Sequence, residues 1–122
     1  MNIYQEQILD HYRHPRHQGV VNHPTHQAHQ TNPLCGDELT ITAVVHDDKL
    51  AEVKFDGHGC AVSQAGASML AEALHGQPME RVSAFTDQDM LELIGVELTP
   101  ARQKCALLAA ATLRKALPTR TL

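Results

Sequence analysis

Three cysteines stand out in this chain: Cys35, Cys60 and Cys105, each in a different local setting. Cys35 lies two residues before Asp37, just ahead of a strand-like run. Cys60 follows Gly57-His58-Gly59 and opens a helix-like run. Cys105 lies inside the last helix-like run, three residues after Arg102. An odd count of cysteines in a chain of this kind reads as reduced thiols for metal or chemistry, not as a disulfide framework. Three thiolates and the Asp37 carboxylate suit a tetrahedral Zn²⁺, and the same thiolates suit an iron–sulfur cluster. A carboxylate is a harder and more exchangeable partner for a thiophilic centre than a fourth thiolate, so this donor set suits turnover. Arg102 and Lys104 can offset its negative charge, and Arg102 is one turn from Cys105 on the same helix face. Other readings stay open at this level. Any one of these cysteines could be a small buried hydrophobe, and Cys105 beside Ala106, Leu107 and Leu108 fits that description. A nucleophilic cysteine needs a partnered histidine, for which His58 is the candidate near Cys60.

The elements that must position these groups follow from periodicity and punctuation. Residues 2 to 14 read as a helix, with Asn2 as N-cap, Ile3, Tyr4, Ile8, Leu9 and Tyr12 on one stripe, and Pro15 ending it. The stripe is narrow, so the helix is expected on the surface of the core. Residues 15 to 34 are polar and read as an extended connection with one edge strand near 25 to 31. Residues 39 to 45 and 50 to 56 alternate as a β-hairpin about the turn His46-Asp47-Asp48-Lys49. The hairpin should return Cys60 to the neighbourhood of Cys35. Extended backbone from Cys35 to Asp37 would put thiol and carboxylate on one face. Residues 61 to 75 read as an Ala-rich helix ended by Gly76 and Pro78. A short helix is expected over 87 to 94, capped by Thr86 or Asp87 and ended by Gly95. A last helix follows Thr99 as cap with Pro100 at its first position, and stops before Pro118. Cys60 then sits near a helix N-terminus, which favours thiolate. Strands first and long helices after give an α+β fold, with helices on one face of a small antiparallel sheet. Residues 1–122 are expected to form one domain.

Composition narrows the function classes. The chain has 122 residues, no Trp and a net charge of −4, so its core must be aliphatic and Ala-rich and nucleic acid is not a favoured partner. No apolar run is long enough for a membrane span, and the first residues resemble no secretory signal, so a cytoplasmic location is expected. Six of the nine histidines fall in two trios, His11, His14, His17 and His23, His26, His29. Either trio could be a metal patch. Pro15 and Pro24 break the helices that would align them, which favours solvated polar surface that holds adventitious metal at most.

Taken together, Asn32-Pro33-Leu34-Cys35-Gly36-Asp37, Phe55-Asp56-Gly57-His58-Gly59-Cys60-Ala61 with Ser63 and Ala67-Ser68, and Arg102-Gln103-Lys104-Cys105-Ala106-Leu107-Leu108-Ala109 resemble the U-type iron–sulfur cluster assembly proteins. This is the family of IscU, SufU and the N-terminal part of NifU. Tyr4, Ile8-Leu9-Asp10-His11-Tyr12 and Pro15-Arg16 are similar to its N-terminal helix. The resemblance implies a SufE/NifU-like, IscU-type fold. It also implies Cys35, Asp37, Cys60 and Cys105 as ligands of zinc or of a transient [2Fe–2S] cluster. Sulfur would arrive as a persulfide from a pyridoxal-phosphate cysteine desulfurase, with Cys35 as acceptor and Arg102 as supporting charge. A downstream iron–sulfur scaffold or apo-proteins would receive the product. IscU-like members carry His immediately before the last cysteine, where this chain has Lys104. They also carry Leu-Pro-Pro-Val-Lys where this chain has Leu98-Thr99-Pro100-Ala101-Arg102. SufU-like members share the arginine at position 102 but carry an insertion between the second and third cysteines, for which the interval from Cys60 to Cys105 looks too short. The resemblance is therefore to a SufU-type site on a compact body, which implies a zinc-dependent sulfur acceptor for a SufS-type desulfurase. The alternative is a cluster scaffold.

Overall fold

The computed structural model describes residues 3 to 117, with side chains from Glu6 onward. The Asn2 cap and the Ile3 and Tyr4 side chains lie outside the described residues. Helix α1 spans Ile3–Arg13. It ends with the His14 N–H donating to Asp10 O (2.8 Å), just before the proline that disfavours another helical residue.

Three strands form one antiparallel sheet in the order β1 (His26–Asn32), β2 (Asp37–His46), β3 (Lys49–His58). The turn between β2 and β3 places Asp47 and Asp48 at φ 51° and 60°, the pair of left-handed residues that matches the twist of a tight hairpin. Leu39, Ile41 and Ala43 of β2 and Val53 and Phe55 of β3 point to the buried face. β1 is the expected edge strand, pairing from His26↔Ala43 to Asn32↔Asp37. The outer edge of β3 is covered by the connection after α1. Gly19 N–H donates to Phe55 O (2.8 Å) and Phe55 N–H donates to His17 O (2.9 Å), so this connection is pinned to the sheet.

The helices follow as α2 (Ala61–Leu74), α3 (Met79–Ser83), α4 (Asp87–Ile94) and α5 (Pro100–Ala116). α5 lies against β1 and β2, and α2 lies against α1, α5 and β3. The core joins Leu39, Ile41, Phe55, Leu70, Met90, Ile94 and Leu113 with buried alanines of α2 and α5. Burying each of the larger side chains contributes about 1.5–3 kcal/mol. α3 falls in a stretch with no expected element. It is one turn begun by Pro78, with Met79 and Val82 buried, too short to show a period. α4 carries the expected Thr86 cap, with Thr86 Oγ1 accepting from the Asp89 N–H (3.0 Å) and Asp89 Oδ2 accepting from the Thr86 N–H (2.9 Å). No described helix is long and apolar enough to cross a membrane.

One histidine departs from the expectation of solvated surface. His11 is only 4% exposed, because its Nδ1 meets Ser68 Oγ (2.7 Å) in the α1–α2 contact. Ser68 Oγ also accepts from the Arg16 N–H (2.9 Å). His11 thus fills a polar position in the packing of the first helix.

Candidate metal centre

Cys35 does not sit on extended backbone. It occupies the turn between β1 and β2, where its N–H donates to Asn32 O (3.2 Å) and Gly36 takes φ +68°. The expected strand face shared by Cys35 and Asp37 is therefore replaced by a turn. Asn32 and Asp37 are the closing pair of the β1–β2 hairpin, and the loop between them must reverse direction, which Pro33 and Gly36 allow. The turn still folds Cys35 back towards Asp37.

Asp37 is the first residue of β2 and is 1% exposed. Its Oδ1 accepts from the Cys60 N–H (2.8 Å), and its Oδ2 lies 3.8 Å from Cys60 Sγ. This approach depends on Gly59. At φ +153° it occupies backbone that L side chains rarely adopt, and a Cβ there would lie 2.9 Å from both Asp37 Cα and Asp37 Cγ.

Cys60 is the N-cap of α2, in extended conformation, and its thiol makes no capping bond. The sulfur is left free to face the site while the Gln64 N–H donates to Cys60 O (3.2 Å) and starts the helix. Cys105 comes from the middle of α5, whose start is set by Pro100 and by Thr99 Oγ1 accepting from the Arg102 N–H (3.4 Å). Cys105 is fully buried, with Sγ 2.9 Å from Cys35 Sγ. The thiol in contact with Cys35 is thus on α5, and Cys60 joins through Asp37.

Cys35 Sγ, a carboxylate oxygen of Asp37 and Cys105 Sγ lie within 4.8 Å of one another, a group able to hold a metal ion. Cys60 stands beside this trio at the Asp37 carboxylate. The chemistry of the donor set fits a thiophilic cation. Two sulfurs in close contact and a buried carboxylate need a shared positive charge or shared protons. The ion pairs among the described residues do not involve Asp37. Burial pushes the Cys105 thiol far above its ordinary value, and hydrogen bonding with Cys35, Asp37 and Cys60 pushes the same way. Both effects favour the protonated form of this thiol in the absence of a cation. The negative charge of Cys60, and then a hydrogen bond with it, raise the Arg102 guanidinium, with smaller contributions from Cys105 and Cys35. Arg102 thus faces the cysteines from the rim, as its position three residues before Cys105 suggests.

Asn32 is a neighbour that spacing alone did not single out. It is buried, and its Nδ2–H points at Cys105 Sγ at 3.8 Å. Its signal is an Asn-Pro pair opening a turn, which reads as punctuation until the strand pairing is known. His58, the candidate partner for a nucleophilic cysteine, instead pairs with Glu38 Oε2 through Nε2 (2.9 Å).

Comparison with known proteins gives concordant matches. The family model described as NifU-like N terminal domain matches residues 3–119. The zinc-dependent sulfurtransferase SufU of Bacillus subtilis is 35% identical over 130 aligned positions, covering 93% of this chain and 88% of that protein. The iron–sulfur cluster assembly scaffold protein IscU 1 of Archaeoglobus fulgidus is 32% identical over 115 positions, covering 94% of this chain and 74% of that protein. Among solved structures, a proposed iron–sulfur cluster assembly scaffold for the SUF system from Fervidobacterium islandicum superposes with a TM-score of 0.80. It is 30% identical, and the match covers 93% of this chain and 96% of that one. The matched 93% of this chain is about 113 residues, so about 17 positions of the Bacillus subtilis alignment have no counterpart here. This chain belongs to the NifU-like N-terminal domain family.

Proposed function

We propose that this chain is an iron–sulfur cluster assembly protein that works as a zinc-dependent sulfur acceptor for a SufS-type cysteine desulfurase. The observation that carries the reading is the uneven setting of the three thiols around Asp37. Cys35 sits half-buried on a turn beside Leu34, which is 74% exposed, whereas Cys105 is sealed inside α5. Only a thiol that a partner can reach can receive sulfur, which sets Cys35 and the equally half-buried Cys60 apart from Cys105, and the resemblance to the family selects Cys35 of the two. The similarity to a protein named zinc-dependent sulfurtransferase SufU supports the choice of metal. Lys104, in the place before Cys105 where IscU-like members carry His, speaks against a scaffold role with a His ligand.

Zinc held by Cys35, Asp37, Cys60 and Cys105 would supply a Lewis-acidic centre that keeps the thiols ionised and ordered. The rest of the work falls to the chain. The Cys35 thiolate attacks the outer sulfur of the desulfurase persulfide. A new S–S bond forms, the enzyme's S–S bond breaks, and the enzyme's cysteine leaves as thiolate. Arg102 sets positive charge at the mouth of the site, where thiolate charge changes hands. Asp37 is the ligand most readily exchanged and Cys105 the least accessible anchor. The loaded Cys35 would then pass sulfur to a downstream scaffold or apo-protein.

A second reading has an observation of its own. The alignment with the Archaeoglobus fulgidus scaffold uses 94% of this chain over 115 positions, so the two match almost without gaps. On that reading the same ligands assemble and release a [2Fe–2S] cluster as cargo. Cysteine turnover by the cognate desulfurase, with and without the stoichiometric zinc-loaded chain, separates the two. Several-fold stimulation that is lost in Cys35→Ala, with persulfide on Cys35 by mass spectrometry, is the expected result. No stimulation from a chain with its zinc in place would overturn the sulfur-acceptor reading in favour of the scaffold.

A further inference from the structure

We propose that the outer face of the sheet carries a second metal site, in which His29, Glu38 and His58 take a borderline divalent transition ion such as Zn²⁺. Each strand contributes one residue: His29 from β1, Glu38 from β2 and His58 from β3. Glu38 and His58 are directly paired, and His29 is paired with Thr40, the next residue of β2 on the Glu38 face. The register therefore brings two imidazoles to the two sides of one carboxylate. His29 Nε2 lies 3.1 Å from Glu38 Oε1, and His58 Nε2 lies 2.9 Å from Glu38 Oε2.

The second nitrogen of His29 is also committed. Its Nδ1 meets Thr40 Oγ1 at 2.8 Å, the kind of outer contact that orients a metal-bound imidazole and sets its tautomer. A hydroxyl both donates and accepts, so it fits either tautomer. On metal binding the His29 proton moves from Nε2 to Nδ1, where it is donated to Thr40, and Nε2 is freed as a ligand. His58 makes the same exchange, with its Nδ1 proton donated to water.

The donor set, two neutral imidazoles and one carboxylate with an open fourth position, is that of a zinc site that keeps a water. Borderline nitrogen ligands select such ions over Mg²⁺ or Ca²⁺. At present the carboxylate stands between the rings, and a cation enters by replacing its two hydrogen bonds. The side chains are 47%, 41% and 75% exposed for His29, Glu38 and His58, so this needs only their rotation. Asp37 and Glu38 are consecutive on β2 and face opposite sides of the sheet, so this site is separate from the thiols.

The test counts zinc on the reduced full chain by equilibrium dialysis against micromolar ZnCl₂. The double variant His29→Ala/His58→Ala should bind one equivalent less than the parent, whatever the thiols hold. His23→Ala/His26→Ala should bind as the parent does. Outer contacts alone change metal affinity about 10–100-fold, so Glu38→Gln, which alters a ligand, should weaken this equivalent about 100-fold. The His29 and His58 ring resonances should shift together with that equivalent. Equal zinc on the parent and on a folded His29→Ala/His58→Ala chain would overturn the proposal. So would shifts confined to other histidines.

Discussion

Replacing Gly59 with alanine tests whether the approach of Asp37 to Cys60 is built into the backbone. Two penalties add at this position. Gly59 holds φ +153°, where a residue with a Cβ is strained by about 1–3 kcal/mol. The new Cβ would also sit 2.9 Å from Asp37 Cα, and backbone in a paired strand cannot yield as a side-chain tip does. Overpacking of this kind costs about 1–3 kcal/mol. Together they give about 4 kcal/mol, or roughly 15 °C in melting temperature for a chain of this length. Gly76→Ala is the control, because Gly76 has φ +78° but nothing within 4 Å of its missing Cβ. It carries the conformational term alone, about 1–2 kcal/mol. The assay is thermal unfolding of both variants, metal-free and reduced, followed by zinc competition at 25 °C. Gly59→Ala should melt about 10 °C below Gly76→Ala. It should also hold zinc at least about 10-fold more weakly, because Asp37 and Cys60 are pushed apart. Equal melting temperatures and equal zinc affinities would refute the reasoning.

The other expectations concern separate parts of the fold. Burial, and then the Arg16 charge, hold the His11 imidazole below its ordinary value near 6.5. The unfolded chain therefore takes up this proton first, and the His11 contribution, full above about pH 6.5, is lost as pH falls towards the lowered value. Urea midpoints at pH 7.5 and pH 5 should show a larger acid loss for the parent than for His11→Gln, and equal losses would contradict this. Thr86→Ala removes the hydroxyl that caps α4 and should lower stability by about 1 kcal/mol in urea unfolding, with the helix otherwise retained. In the metal-free chain Cys105 is buried with its thiol held protonated. Mass-spectrometric mapping with iodoacetamide at pH 8 should find it alkylated after Cys35 and Cys60. Labelling of Cys105 first would contradict the burial.

Much of the fold could be read from local punctuation. Thr99-Pro100 and Thr86 mark helix starts by side-chain chemistry confined to one turn, and α4 and α5 begin there. The β2–β3 hairpin follows from its alternation. The features that were not legible depend on distant partners. Cys35 lies on a turn because Asn32 pairs with Asp37, which needs β1 to be in place. His11 is buried because Ser68, 57 residues away, meets its ring. The site was partly visible for the same reason. Residue types and the hairpin pointed to Cys35, Asp37 and Cys60. The 2.9 Å contact between Cys35 and Cys105 needed α5 laid across β1 and β2. Asn32 at Cys105 and the demand for glycine at position 59 appear only once that packing exists.

The connection after α1 has a consequence for how partners can approach. By running along β3 through Gln18 and Phe55, it occupies the hydrogen-bonding groups with which an extended peptide could extend the sheet. The opposite edge, β1, carries His26, Gln27, His29, Gln30, Thr31 and Asn32, and the Lys115 ammonium already donates to the His29 carbonyl (3.4 Å). Polar side chains and a lysine at an edge discourage strand-to-strand growth. Recognition by β-addition is thus disfavoured on both flanks. What remains is the end of the sheet, where the Cys35 turn and the rim at Arg102 project.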